Sequence, residues 1–300
     1  MDDPIERAFG AFKEFGEAMA GATTPAERRA RWEAWANARG GYPAVDRKAA
    51  EVGGVDVEWV KAAGVTDGDP VVIFLHGGGF SSGSTVTHMS TIANLSDAAR
   101  CRVLGVNYRL FPEHPFPTQI EDAVDVYRTL IRSGSDPRRV ALAGDSAGGG
   151  LAVAALLLAK TLALPMPAAT VCIGPWVDLA VTGASMTLNA DTDPVVKGEG
   201  MRAGALRFLD GVSPYHPLAS PIYGDLSGLP PMLIQVGSGE SLLDDARRLA
   251  GRARQCGVKA ELKEWPGMVH GWHQFADFLP QAREALSEIR EFLDALPGWR

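Results

Sequence analysis

The sequence predicts a mostly parallel β-sheet with helices on both faces, and three features point to it. Five continuous apolar runs read as strands buried on both faces: Val71–Leu75, Val103–Val106, Val140–Ala143, Thr170–Ile173 and Met232–Val236. Helical stretches at roughly 86–100, 118–133, 147–163, 243–256 and 281–295 separate or follow them, and strands spaced by helices make parallel sheets. The chain has 300 residues, 46% hydrophobic and 22% charged, so it can bury a large core and is not a disordered polymer.

From the N-terminus, residues 1 to about 40 read as two helices. In the first, Ile5, Phe9, Phe12 and Met19 recur at helical spacing, with Phe15 beside them. The second opens on Thr24-Pro25-Ala26-Glu27, a capping-box pattern with proline at the first helical position, and carries Trp32 and Trp35. These aromatics are expected to pack on the next layer and to roof a pocket. Residues 1–48 are therefore assigned to a helical cap and 49–300 to the main domain. Between Asp178 and Leu229 strand signals vanish, Gly, Pro and Asp are frequent, and one helix fits near 199–209. That stretch reads as a cap insertion at about 180–225. A last strand, Glu261–Trp265, precedes the C-terminal helix.

Charge and cysteine usage exclude several classes. Lys plus Arg number 29 against 36 Asp plus Glu, a net charge of −7, so no basic stripe speaks for nucleic acid. Cys101, Cys172 and Cys256 are odd in number and far apart, which argues against a disulfide framework or a cysteine zinc site. The first thirty residues carry early acids and no apolar signal core. The longest apolar stretch, Ala147–Ala159, is too short to span a bilayer. A soluble, cytoplasmic protein is expected, and an exposed last strand or the C-terminal helix would support a homodimer.

Two glycine-rich segments carry chemistry. Gly144-Asp145-Ser146-Ala147-Gly148 is a G-x-S-x-G set between a buried strand and an apolar helix, the context in which a strained turn lifts a serine hydroxyl clear of a sheet. His76-Gly77-Gly78-Gly79-Phe80 follows the strand ending at Leu75, and bare backbone amides there suit an oxygen that becomes negative. With the amide of Ala147 they would form an oxyanion hole of Gly77, Gly78, Gly79 and Ala147, in which Gly77 shapes the turn. The glycine run lacks the Lys-Ser/Thr ending of a phosphate loop, and no dinucleotide fingerprint is present. His76 reads as a loop-holding residue and Asp145 as structural.

These segments, together with Tyr108-Arg109-Leu110-Phe111-Pro112-Glu113-His114-Pro115-Phe116-Pro117, resemble the hormone-sensitive-lipase-like esterases, α/β-hydrolases with a helical cap. The resemblance runs from about residue 50 to the C-terminus. Trp176-Val177-Asp178-Leu179 and Leu242-Leu243-Asp244-Asp245 are similar to a branch containing monoterpene ε-lactone hydrolases. The resemblance implies an α/β-hydrolase fold and a serine, acid, histidine order. Only His216, His270 and His273 follow the serine; His270 lies in a turn directly after the last strand and matches the family's position, with His273 and His216 as weaker alternatives. Aligning Leu242 with the family's leucine puts Glu240 where that family has aspartate, with Asp244 as the alternative. The implied triad is Ser146, Glu240 and His270, working without metal or cofactor on a small or medium carboxylic ester or a lactone. Phe9, Phe12, Trp32, Phe80 and Met201 are the expected substrate contacts, with Ile5, Phe15 and Trp35 nearby. An amidase, peptidase or thioesterase would share this machinery, and a non-catalytic binding protein on the same fold is the reading from another class.

Overall fold

A computed structural model describes residues 3–300. Helix α1 (Pro4–Met19) starts on an Asp3 cap, and α2 (Pro25–Arg39) on the expected capping box, with Thr24 and Glu27 each bonding the other's backbone. The sheet then opens with a hairpin, β1 (Val45–Val52) and β2 (Val55–Ala62), which lies outside the expected apolar runs. Its turn is Gly53-Gly54, both at positive φ (66° and 81°), the conformation that tight hairpins require. The sheet thus starts at Val45, inside the stretch assigned to the cap.

The expected strands follow as β3 (Val71–Leu75), β4 (Arg102–Val106), β5 (Val140–Asp145), β6 (Ala169–Ile173), β7 (Met232–Gly237) and β8 (Ala260–Trp265). They alternate with α3 (Met89–Ala99), α4 (Thr118–Arg132), α5 (Ala147–Thr161), the short α6 (Ser185–Leu188), α7 (Gly198–Leu209), α8 (Leu243–Gln255) and α9 (Pro280–Asp294). The eight strands lie in the order β1-β2-β4-β3-β5-β6-β7-β8, antiparallel at β1–β2 and β2–β4 and parallel elsewhere. The α/β-hydrolase class is observed.

Strands β3, β5 and β6 sit at the centre and are buried along almost their whole length. On one face their side chains pack with α4, α5 and α8; on the other, with α3, α9 and part of α1. In α1, Phe12 meets Phe275 edge-to-face at 5.0 Å and Arg7 stacks 3.9 Å over Phe278. No residue of α2 is buried, so this helix has an apolar face without a core beneath it. Arg29 ties it down instead, donating to the carbonyls of Ser81 (2.9 Å) and Phe111 (2.8 Å) and pairing with Glu113. Among the described residues no helix is long and apolar enough to cross a membrane.

Candidate active site

The chemistry-bearing residues gather at the C-terminal ends of the central strands, where open α/β sheets bind ligands. Ser146 follows β5 with φ 54° and ψ −123°, a conformation L-residues rarely adopt. Two glycines permit it: a Cβ at Gly144 would run into the Gly148 carbonyl, and one at Gly148 into the Leu75 carbonyl. The turn is pinned by Ser146 N donating to Ile173 O and Trp176 N donating to Ser146 O, both 2.9 Å.

Beside it, His270 Nδ1 lies 2.8 Å from Glu240 Oε2, and Glu240 Oε1 accepts from Gly237 N at 2.7 Å. Glu240 is fully buried, so its two bonds replace water. Burial works against the His270 imidazolium, but the hydrogen bond and charge of Glu240 outweigh it and raise the group to about 9. Gly174, at φ 47° after β6, joins this pair to the elbow. A Cβ there would collide with Glu240 Oε2 and lie 3.1 Å from His270 Nδ1, while the preceding residue, Ile173, accepts the Ser146 amide. Ser146 and His270 line one cavity; among the described residues no hydrogen bond joins their side chains. In free enzymes such bonds are often long and tighten with substrate.

The alternatives have other partners, although His273 also lines the cavity. Asp244 accepts from Ser185 N at 2.9 Å in the first turn of α8. His273 Nε2 is held 3.0 Å from Gln235 Oε1, and burial pushes its imidazole down to about 3. His216 lies in the insertion, its ring 5.8 Å from that of Phe116. His76 stacks on Tyr108 at 4.2 Å and is likewise pushed down to about 3 by burial, a loop anchor rather than a proton carrier.

In the glycine loop, the Gly77 amide donates to Asp145 Oδ1 at 2.9 Å, so this amide is engaged within the protein and Gly77 has a part in shaping the turn. Among the described residues no protein group accepts from the amides of Gly78, Gly79 or Ala147. Asp145 also meets His88 Nε2 at 3.2 Å, which makes His88 a strut of this loop. Sequence reasoning missed His88, because nothing local marks it.

The cavity is about 840 Å³, in the range that holds a small organic ligand. Phe12, Trp32 and Met201 line it, as do Phe15 and Trp35, and Phe15 meets the two tryptophans edge-on at 5.4 and 5.2 Å. Phe9, Phe80 and Ile5 do not line it. Phe9 is 39% exposed on the far side of the α1 stripe, and Ile5 packs against the core around Phe275. Phe80 is buried under the cap, stacked on Phe208 at 4.4 Å, and supports the wall from behind.

The family model for the α/β-hydrolase fold matches residues 72–274. An acetyl-hydrolase of Streptomyces hygroscopicus is 47% identical over 247 residues, 82% of each chain, and an esterase of Acinetobacter venetianus is 36% identical over 255 residues, 85% of this chain and 84% of that one. The crystal structure of an esterase from the bacterial hormone-sensitive lipase family superposes with a TM-score of 0.92 at 44% identity, covering 97% of this chain and 98% of that one. This chain is a hormone-sensitive-lipase family esterase. A hydroxyl on a strained elbow, an imidazole backed by a carboxylate and free amides on one wall are the groups acyl transfer employs. The segments that resemble the lactone-hydrolase branch have another place in this esterase. Val177 N and Asp178 N donate to Asp245 Oδ2, and Asp178 pairs with Arg248, so they clamp the base of the insertion, and only Trp176 among them reaches the cavity.

Proposed function

We propose that the enzyme hydrolyses small and medium carboxylic esters through Ser146, His270 and Glu240. The observation that carries this is the 2.8 Å bond between a fully buried Glu240 and His270 on the cavity that Ser146 also lines. Glu240 fixes the imidazole with Nδ1 protonated, leaving Nε2 to take the serine proton as Oγ attacks the ester carbonyl. The carbonyl oxygen, now negative, is held by the amides of Gly78, Gly79 and Ala147, the last at the N-terminus of α5 where the helix dipole adds to it. His270 then protonates the leaving alcohol, and water cleaves the acyl-enzyme by the same route.

The relatives are named esterase and acetyl-hydrolase, which supports a short acyl group. The same steps would open a lactone, in which the alcohol stays tethered to the acyl group. Hydrolysis rates on p-nitrophenyl esters of increasing acyl length and on alicyclic lactones, with Ser146→Ala alongside, test the reading. Activity highest on short chains and absent from the variant is expected; serine-independent hydrolysis would overturn it, and a preference for lactones would reassign the substrate.

A further inference from the structure

Two unpartnered arginines face the cavity from opposite segments of the chain. On α2 the lining residues are Pro25, Arg28, Trp32 and Trp35, and on α7 they are Gly200, Met201, Gly204 and Arg207, each set at the spacing of one helix face. Other arginines on these helices are engaged: Arg29 with Ser81, Phe111 and Glu113, Arg31 with the Ala20 carbonyl, Arg39 with Gln274 and Asp277, Arg202 with the Val181 carbonyl. Among the described residues Arg28 and Arg207 have no hydrogen-bond or ion-pair partner, and both are exposed. Lys197, also on the lining, gives its ammonium to the carbonyls of Ala190 and Asp193. Among the described residues the one acid on the lining, Asp145, is taken by Gly77 and His88. In a chain of net charge −7, the uncommitted charge of this cavity is therefore positive. A Cβ at Gly200 or Gly204 would meet nothing within 4 Å, so α7 leaves open space beside Arg207.

Resting on the esterase reading, we propose that Arg28 and Arg207 form an anion-accepting rim, and that the favoured substrates are esters with a carboxylate at the end remote from the scissile bond. The guanidinium fork suits a carboxylate and keeps its charge at every working pH. The apolar wall of Trp32, Trp35 and Met201 would take the carbon chain between the reacting carbonyl and that charge.

Two matched pairs test this: p-nitrophenyl valerate against mono-p-nitrophenyl glutarate, and phenyl acetate against 4-acetoxybenzoate. For each pair the ratio of kcat/KM, anionic over neutral, is measured in the wild type, Arg28→Ser, Arg207→Ser and Arg28→Glu/Arg207→Glu. Comparing ratios between proteins cancels the intrinsic reactivity of each ester. The charge-reversed enzyme is expected to lose about ten-fold in the ratio for at least one pair, and salt at about 0.5 M to weaken the wild-type preference. A ratio that stays the same in every variant for both pairs overturns the proposal. Wild-type hydrolysis of the neutral esters that disappears in Ser146→Ala keeps the esterase reading standing whichever way the ratio goes.

Discussion

Replacing Glu240 by glutamine removes one charge and almost no volume, and the structure sets what that costs. Both carboxylate oxygens are acceptors, Oε2 at 2.8 Å from His270 Nδ1 and Oε1 at 2.7 Å from Gly237 N, in a site closed to water. A glutamine offers one acceptor to these two donors, so whichever way its amide turns, one buried N–H faces an NH₂ group and loses its bond. The charge matters more. Raising His270 from 6.5 to about 9 corresponds to a preference for the imidazolium on the order of 3 kcal/mol, and in the proposed mechanism that cation forms as Ser146 gives up its proton. Losing it slows turnover roughly 10²- to 10³-fold, at about 1.4 kcal/mol for each factor of ten. Steady-state kcat on p-nitrophenyl acetate reads this directly, with Asp244→Asn as the companion variant. Glu240→Gln within three-fold of wild type, with Asp244→Asn inactive, would show that the acid has been misplaced.

Three further outcomes are expected. Because the proposed base His270 has to be neutral to accept a proton and is raised to about 9, kcat/KM should climb with pH through that region. In Glu240→Gln the same limb should drop below 6.5, since burial, which lowers an imidazole, is then unopposed; a wild-type profile flat from pH 6 to 9 contradicts this. Gly174→Ala forces a Cβ into Glu240 Oε2 at a backbone φ of 47°, and should cost at least about 10²-fold in kcat/KM by displacing the pair, as measured on a purified variant whose circular dichroism matches wild type. Arg29→Ala unties α2 from the two carbonyls it holds and should lower unfolding stability by about 1–3 kcal/mol in urea melts, whereas no change would mean the cap helix is held by other contacts.

The central strands were legible in the sequence because β3, β5 and β6 are buried on both faces, and such strands read as unbroken apolar runs. Strand β1 was not. It is an edge strand whose Asp46, Arg47 and Lys48 are all exposed, and only the Gly53-Gly54 turn announces the hairpin. Ser146 and the glycine loop announced themselves through backbone demands that glycine alone meets. Glu240 had no such mark, and only family resemblance singled it out from Asp244. The motif told which amides lie near the serine but not that Gly77 gives its own to Asp145. Helical spacing likewise placed Phe9 with Phe12 without revealing that one faces water and the other the cavity. Phe80, apolar and beside the loop, proved to be a core residue because its partner Phe208 is more than a hundred positions away.

The account depends most on Ser146 being the group that carries the acyl chain. Exposure to diethyl p-nitrophenyl phosphate, followed by peptide mass spectrometry and residual activity on p-nitrophenyl acetate, addresses that point directly. One diethylphosphoryl group on the peptide holding Ser146, formed in step with the loss of activity and absent from Ser146→Ala, is the expected result. Full inactivation with the label on another residue, or hydrolysis that persists once Ser146 is labelled, would contradict it.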